Sequence, residues 1–241
     1  MFLILNMQPY SLSFIIKVLG DQLNSLTYTF SNLRFLGCCY NLKWPDDTRV
    51  VCSNYSTWAT PILTSIPATI RICQCIRRFY DSNFTMHIHL INTGKYISAI
   101  ASYFAFFCWR FNGQGQFHHF SFIIYIVFSL IYSFYALLWD LLMDWSLLQR
   151  KSKTIFLRDT LAFEGIYIYY ASMITNTILR FLWLFYIPDH RARFAVRNFI
   201  FAVLEVLRRI QWSICKFFFL KKKQEYFTNS IIIQIVWKMN M

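Results

Sequence analysis

Three arginines lie inside long apolar segments of the chain. Arg180 is part of TNTILRFLWLFY, and Arg208 with Arg209 is part of FIFAVLEVLRRIQWSICKFFF. Both segments belong to apolar windows of the length, about 20 residues, that a helix needs to cross a bilayer. A cation in hydrocarbon costs a few kcal/mol unless it faces a partner or a water-filled path. Several cations at that depth therefore predict a path or a binding site for an anion.

Acidic and amide side chains in the same kind of segment recur at helical spacing. Asp21 and Asn24 are three residues apart and share one face of a helix, and Asp140 and Asp144 are four apart. Glu205 lies about one turn before the two adjacent arginines, which are about 100° apart and cannot point the same way. Positive charge attracts an anion, and acids keep it from binding too tightly to leave. The mixture is therefore typical of an ion pathway.

The composition predicts that the elements carrying these residues lie in a membrane. Hydrophobic residues make up 57% of the 241 residues, aromatic residues 20% and charged residues 15%, more apolar surface than a soluble domain can bury. Residues 1–10 lack the basic region and cleavage site of a signal peptide and are expected to be membrane helix. We predict an all-α, polytopic membrane helical bundle with a transmembrane transport domain at 1–220 and a cytoplasmic tail at 221–241. The six apolar windows lie at 10–40, 57–79, 95–111, 119–142, 161–187 and 195–220.

Each polar feature also has a purely structural interpretation. The arginine pair could bind only Glu205 within its own helix, or extend to the lipid headgroups. The two acids near the end of the fourth window could be interfacial charges, and Lys95 could be a lysine that reaches the headgroups. The polar string GDQLNSL in the middle of the first window predicts a kink, and its side chains could simply cap a broken helix. The joint occurrence of all these residues favours the ion pathway.

The remaining polar residues argue against other classes of function. The net charge of +13 comes largely from basic residues that flank apolar windows, so nucleic acid is not an expected partner. Cys73 and Cys75 face different directions on a helix, and we interpret all seven cysteines as small apolar residues. The histidines, such as the adjacent His118 and His119, lack a metal-binding spacing. We therefore expect no metal, no cofactor and no enzymatic activity.

The basic residues of the short loops predict the orientation of the chain. They are more numerous on the side that would carry both termini, including the lysines at 221–223, so both termini are expected in the cytoplasm. The glycosylation sequon at Asn54 would then be lumenal or extracellular, and the sequon at Asn83 would be cytoplasmic.

Several short strings together resemble the EXS domain of the eukaryotic phosphate exporters, and they occur in the order that this family shows. Most of the chain, roughly residues 20–212, is covered. We also find no resemblance to the SPX domain that precedes the EXS domain in full-length exporters, so we expect an SPX-less member, either a reduced protein or a fragment of a longer one. The strings are DQLNSL at 21–26, IPA at 66–68, QCIRR at 74–78, HLINTGKY at 89–96, WDLLMDW at 139–145, LRFLW at 179–183 and LEVLRR at 204–209.

The resemblance implies roles for particular residues. Asp140 would pair with the arginine pair, and Trp183 would be a gating aromatic residue. The chain departs from the family pattern at Thr175 and Asn176, where an acidic pair is usual, and at Leu142, where a lysine is usual. We expect the cations at 180 and 209 to face a central polar cavity together with the path residues at 24 and 95. The phosphate-binding path would be lined by Asp21, Asn24, Lys95, Tyr96, Arg180, Arg208 and Arg209.

Two functions are consistent with this resemblance. The first is movement of inorganic phosphate down its gradient through a multi-pass protein of the Golgi or plasma membrane. The alternative is a Golgi membrane protein that retains or recycles resident glycosyltransferases, the role that the resemblance implies for members without an SPX domain. The expected partners are inorganic phosphate and membrane lipids, with a second copy of the chain or glycosyltransferase tails as further candidates.

Overall fold

The computed structural model describes residues 20, 22–44, 52, 58–112, 116–148, 156–157, 165–187, 196 and 199–218. All regular secondary structure in these ranges is helical, which confirms the all-α prediction. Asp21, the first part of the first predicted window and the tail at 221–241 lie outside the described residues. The division into a domain at 1–220 and a tail at 221–241 stays a prediction.

Six helical segments follow the order of the six apolar windows in the described part of the chain. They are α1 (Thr27–Asn41), α2 (Ala59–Asp81), α3 (Ile88–Asn112), α4 (Phe120–Trp139), α5 (Ile166–Arg180) and α6 (199–218). A 3-10 turn at Asn24–Leu26 precedes α1, and a second one at Leu182–Tyr186 follows α5. A π-helical segment at Asp140–Asp144 continues α4.

Local hydropathy predicts one helix boundary correctly, before α1, and one incorrectly, at the start of α3. The 3-10 turn before α1 falls inside the polar string GDQLNSL, where the sequence predicts a kink, and Thr27 Oγ1 donates to Asn24 O at 2.9 Å. In contrast, α3 begins at Ile88 and not at residue 95 as predicted. The polar residues before 95 are helical because they are satisfied locally: Thr93 is buried, and its Oγ1 donates to His89 O at 3.0 Å.

The helices differ in how well they suit a membrane. By length and apolar composition, Phe120–Asp144 is the one helix within the described ranges that is suited to crossing a bilayer. By comparison, α5 has 15 residues, and α6 carries four charged side chains, those of Glu205, Arg208, Arg209 and Lys216. In a membrane, the charged side chains of these other segments need ion-pair partners or water. The contacts of these side chains therefore bear directly on the function of the chain.

The chain divides into two compact units, Met1–Tyr132 and Ser133–Met241, with the boundary inside α4. In the first unit, Tyr96 of α3 packs with Ala68 and Cys75 of α2. In the second, a buried apolar cluster surrounds the end of the π-helical segment. This cluster consists of Leu141, Trp145, Leu147, Leu157, Tyr169 and Trp212.

One pair of cysteines corrects the sequence interpretation. Cys38, near the end of α1, forms a disulfide with Cys52, with 5.7 Å between their Cα atoms. The interpretation of all seven cysteines as small apolar residues is therefore wrong for these two. Their positions differ by 14, so the pairing depends on the path of the connection between α1 and α2, which cysteine spacing does not reveal. Cys39 and Cys75 are buried thiols, as expected for small apolar residues.

Candidate anion-binding site

Asp140 lies at the point where α4 changes to a π-helix. The amide of Trp145 donates to Asp140 O at 2.9 Å, the i to i+5 bond of a π turn, a feature that is frequent at functional sites. Only 2% of the Asp140 surface is exposed. The interpretation of Asp140 as an isolated interfacial acid is therefore wrong, since such an acid would be exposed and would lack buried cationic neighbours.

The buried carboxylate of Asp140 is shared by several donors of the second unit. Its Oδ2 accepts from Arg180 Nη2 at 2.6 Å and Nε at 3.1 Å, and from Asn176 Nδ2 at 3.2 Å. Arg208 Nη1 lies 3.6 Å from the same oxygen. Asn176 and Arg180 are one turn apart at the end of α5, so one face of that helix supplies both contacts. The expected pairing of Asp140 with Arg208 is present, and Arg180 is the closer partner.

Glu205 is the second acid of the cluster and lies on the same helix as the arginine pair. Arg208 donates to both of its carboxylate oxygens, from Nε at 2.8 Å and from Nη2 at 2.5 Å. Arg209 Nε lies 3.5 Å from Glu205 Oε1. Pairing within the helix is therefore real. It does not satisfy Arg208 by itself, because the same side chain also reaches Asp140 and is fully buried.

Asn176 connects the two acidic sites. Its Nδ2 donates to Asp140, and its Oδ1 accepts from Arg208 Nη1 at 3.3 Å. An amide can make both bonds, whereas an ionised carboxylate at this position would have no proton to donate to Asp140. Asn176 is therefore a neutral bridge, where an ionised carboxylate would add a further negative charge to the cluster.

Asp144 has a different cationic partner from Asp140. Lys216 Nζ lies 2.8 Å from Asp144 Oδ1, and the same ammonium group lies 4.1 Å from the ring centroid of Trp212. Arg209 contacts the Trp212 ring as well, with its Cζ 5.5 Å from the centroid. The two acids of the WDLLMDW string therefore serve two separate ion pairs, although their four-residue spacing suggests a common role.

Trp183, the predicted gating residue, lies in the 3-10 turn that follows α5. Its Nε1 donates to Ser133 Oγ at 2.8 Å, and Ser133 Oγ donates in turn to Arg180 O at 3.2 Å. Ser133 was not a candidate from the sequence, because a serine in an apolar helix is common and gives no local signal. The structure connects Trp183 through this serine to the residue that binds Asp140.

The first unit contains a separate cationic cluster around Tyr96. Arg71 Nε donates to the Tyr96 hydroxyl at 3.0 Å, and Arg71 Nη1 donates to Gln74 Oε1 at 2.7 Å. Lys95 Nζ lies 4.7 Å from the Tyr96 ring centroid, in cation–π range. A Cβ on Gly20 would lie 2.8 Å from Arg71 Nη1, so a larger residue there would displace the end of the Arg71 side chain. Arg71 also lies inside an apolar window, as Arg180, Arg208 and Arg209 do. It is not among the residues that the sequence predicts to line the path.

Asn24 is buried in the first unit, with 8% of its surface exposed. Within the described residues, its Oδ1 has no hydrogen-bond partner. A buried polar atom in this state usually faces water or a ligand. Among the predicted path residues, Arg180 and Arg208 converge on Asp140, and Arg209 joins them through Glu205. The convergence of Asn24, Lys95 and Tyr96 with these arginines stays a prediction.

The fold and the site define an all-α protein in which buried arginines share a small number of carboxylates. Such guanidinium groups can exchange one oxyanion for another, because carboxylate and phosphate oxygens present the same geometry to them. The sequence matches the EXS family over residues 1–217, and the chain belongs to that family. The expected family membership is confirmed.

Similar proteins come from several groups of eukaryotes. The chain is 32% identical over 229 residues to the xenotropic and polytropic retrovirus receptor 1 homolog of Xenopus laevis, covering 88% of this chain and 32% of the relative. It is 31% identical over 232 residues to human solute carrier family 53 member 1, with the same coverage. It is 30% identical over 218 residues to SPX and EXS domain-containing protein 3 of Dictyostelium discoideum, covering 87% of this chain and 22% of the relative. The chain thus spans about a third or less of the length of these relatives.

Proposed function

We propose that this chain moves inorganic phosphate across a membrane, down its gradient, along a path lined by arginine, lysine, aspartate and asparagine side chains. The observation that carries the proposal is the shared carboxylate of Asp140, whose Oδ2 contacts both Arg180 and Arg208 in a fully buried position. An internal anion that holds two arginines occupies the position that a mobile oxyanion would take. The proposal treats Asp140 as a competitor that phosphate displaces and that later helps to release it.

The geometry supports exchange more than permanent binding. Arg180 reaches one Asp140 oxygen with two nitrogens, and the planar fork of a guanidinium group can engage two phosphate oxygens equally well. Phosphate would enter between Arg180 and Arg208 while Asn176 keeps its bond to Arg208. When the Asp140 carboxylate returned to the arginines, it would weaken their binding of phosphate. Phosphate could then leave, whereas tighter binding would stop conduction.

Glu205 supplies a second competitor on the more open side of the cluster. Its side chain is 37% exposed, while that of Arg208 is fully buried. Phosphate that leaves Asp140 and Arg180 would meet Arg209 and Arg208 next, both within reach of Glu205. We infer that the anion moves stepwise between arginines and that each step replaces one carboxylate contact.

Three further observations support a transport role. The chain belongs to the EXS family, a relative with 31% identity is named a solute carrier, and α4 with its extension is suited to crossing a bilayer. We propose a multi-pass protein of the plasma membrane or Golgi, and transport in place of catalysis. By the resemblance, Asp21, Asn24, Lys95 and Tyr96 would belong to the same path.

The test is efflux of radiolabelled phosphate from proteoliposomes that contain the purified chain, with sulfate and chloride compared. Arg180→Ala and Arg209→Ala should remove most phosphate efflux, while the protein stays in the membrane. Lys variants at both positions should recover only part of it, since an ammonium group lacks the bidentate geometry. Arg77→Ala is the matched control, because that side chain is 75% exposed and pairs with Asp81 on its own helix.

Parental efflux from both alanine variants would show that the arginines are structural, and the transport proposal would then be wrong. The alternative, retention of glycosyltransferases, is separated by its cargo. A chain that binds glycosyltransferase tails and gives no phosphate efflux above that of empty liposomes would support this alternative.

A further inference from the structure

Ser133 is almost fully buried on α4, with 1% of its surface exposed. Its hydroxyl group both accepts and donates a hydrogen bond to one neighbouring segment. It accepts from Trp183 Nε1 at 2.8 Å and donates to Arg180 O at 3.2 Å. These two partners lie on either side of the point where α5 ends. The hydroxyl therefore joins the end of a helix to the turn that follows it.

The carbonyl of Arg180 belongs to the last turn of α5, which ends at Arg180. The last four carbonyl groups of a helix are often bonded by groups from outside the helix. Ser133 of α4 donates to this carbonyl. Arg180 is thus attached to the α4 segment at two points, through its carbonyl at Ser133 and through its guanidinium group at Asp140.

The spacing along α4 makes this double attachment possible. Ser133 and Asp140 are seven residues apart, close to two full turns, so they lie on the same face. Trp183 contacts the same hydroxyl group, because its indole N–H donates a hydrogen bond to Ser133 Oγ. A rotation of Trp183 would therefore disturb the hydrogen bond that holds the backbone of Arg180.

We propose that Ser133 is a positioning residue that couples the orientation of Trp183 to the placement of Arg180. This inference rests on the proposed transport function, in which Arg180 binds the anion. The coupling makes the indole and the cation move together. A change at Trp183 is then transmitted to the binding site through one hydroxyl group.

A double-mutant cycle on phosphate efflux tests this coupling. Ser133→Ala removes the hydroxyl, and Trp183→Phe removes the indole N–H while it keeps an aromatic ring. Trp183→Phe should reduce phosphate efflux about fivefold, as expected for the loss of one buried hydrogen bond of about 1 kcal/mol. Ser133→Ala also removes the hydrogen bond to Arg180 O, so it should reduce efflux about 25-fold. The double variant should be no slower than Ser133→Ala, because that change already breaks the bond to Trp183. Ser133→Thr, which keeps the hydroxyl, should stay near the parental rate.

Ser129→Ala is the matched control. Ser129 is also buried on α4, with 2% of its surface exposed, and its Oγ shares a hydrogen bond of 3.0 Å with Ser102 Oγ. It should leave phosphate efflux unchanged and add independently to Trp183→Phe. Ser133→Val against Ser133→Thr gives an isosteric comparison in case the alanine variant does not fold.

Effects that multiply to about 125-fold in the double variant, a parental rate for Ser133→Ala, or an equal loss in Ser129→Ala would each overturn the coupling. Failure of the transport proposal is distinguishable, since the parent chain would then give no efflux. The parent, the two single variants Ser133→Ala and Trp183→Phe, and the double variant are therefore also measured by thermal unfolding in detergent. Non-additive shifts for Ser133 and Trp183 would support the positioning role without transport, and additive shifts would contradict it.

Discussion

Replacing Asp140 by Asn removes the negative charge that Arg180 and Arg208 share and hardly changes the volume of the side chain. The carboxylate is buried and accepts from two nitrogens of Arg180, with Arg208 Nη1 3.6 Å away. Removal of one partner from a buried ion pair costs about 3–5 kcal/mol. Asn keeps one acceptor oxygen, so we expect the lower end, about 3 kcal/mol.

This free energy converts into a measurable change in the unfolding temperature. For a chain of this size, each kcal/mol shifts the midpoint by about 2–4 °C, so Asp140→Asn should unfold about 6–12 °C below the parent in detergent. Asp81→Asn is the matched control, because Asp81 makes an exposed pair with Arg77 at 3.0 Å on the surface of α2. An exposed pair of this kind contributes about 0.3–0.5 kcal/mol, which predicts a shift of at most about 2 °C.

The same substitution should change transport in a particular way. Without the competing carboxylate, phosphate should bind the arginines more tightly and leave more slowly. We expect the KM for phosphate to fall roughly tenfold, equivalent to about 1.4 kcal/mol, and the maximal efflux rate to fall with it. Efflux is measured over a range of phosphate concentrations in proteoliposomes, with the protein content of each preparation determined.

A midpoint within about 2 °C of the parent would mean that the carboxylate contributes no more than an exposed acid, contrary to its burial. A raised KM with an unchanged maximal rate would mean that Asp140 helps to bind phosphate and does not compete with it. Either result would refute the reasoning from the shared oxygen.

Three other outcomes are expected. Asn176→Leu should lower the unfolding temperature by at least about 6 °C, because two buried bonds to charged groups, each about 1.5–3 kcal/mol, are lost, whereas Thr175→Val on the exposed side should change it little. The Cys38–Cys52 disulfide is expected to form in an oxidising compartment, so the α1–α2 connection should be lumenal or extracellular. Glycosylation is measured by a mobility shift after glycosidase treatment. Glycosylation at Asn54 would agree with this orientation, and glycosylation at Asn83 would contradict it. A tag at the C-terminus should be protected from protease in sealed right-side-out vesicles, and its digestion there would reverse the predicted orientation.

Much of the candidate site was predictable because its signals are local. An arginine in a membrane-spanning apolar segment costs free energy in any fold. The sequence alone therefore identified Arg180, Arg208 and Arg209 as residues with a partner or a function. The same holds for Asp140, whose charge lies next to an apolar segment. The helix order was likewise predictable from the lengths of the apolar windows, and an interruption before α1, observed as a 3-10 turn, from a polar string inside one of them.

The partners of these residues were decided by the tertiary structure. Asp140 contacts Arg180 across 40 positions of the chain, Asn176 bridges Asp140 and Arg208 on different helices, and Ser133 contacts Trp183 across 50 positions. Spacing along one helix predicts which side chains share a face, but it contains no information about the rotation of one helix against another. Rotation and register arise when side chains of separate helices pack together, and a shift of one residue turns a helix by about 100°. For this reason the sequence identified Arg180, Arg208, Arg209 and Asp140 as charges in apolar surroundings, and packing determined which acid each arginine binds and that Arg71 is buried as well.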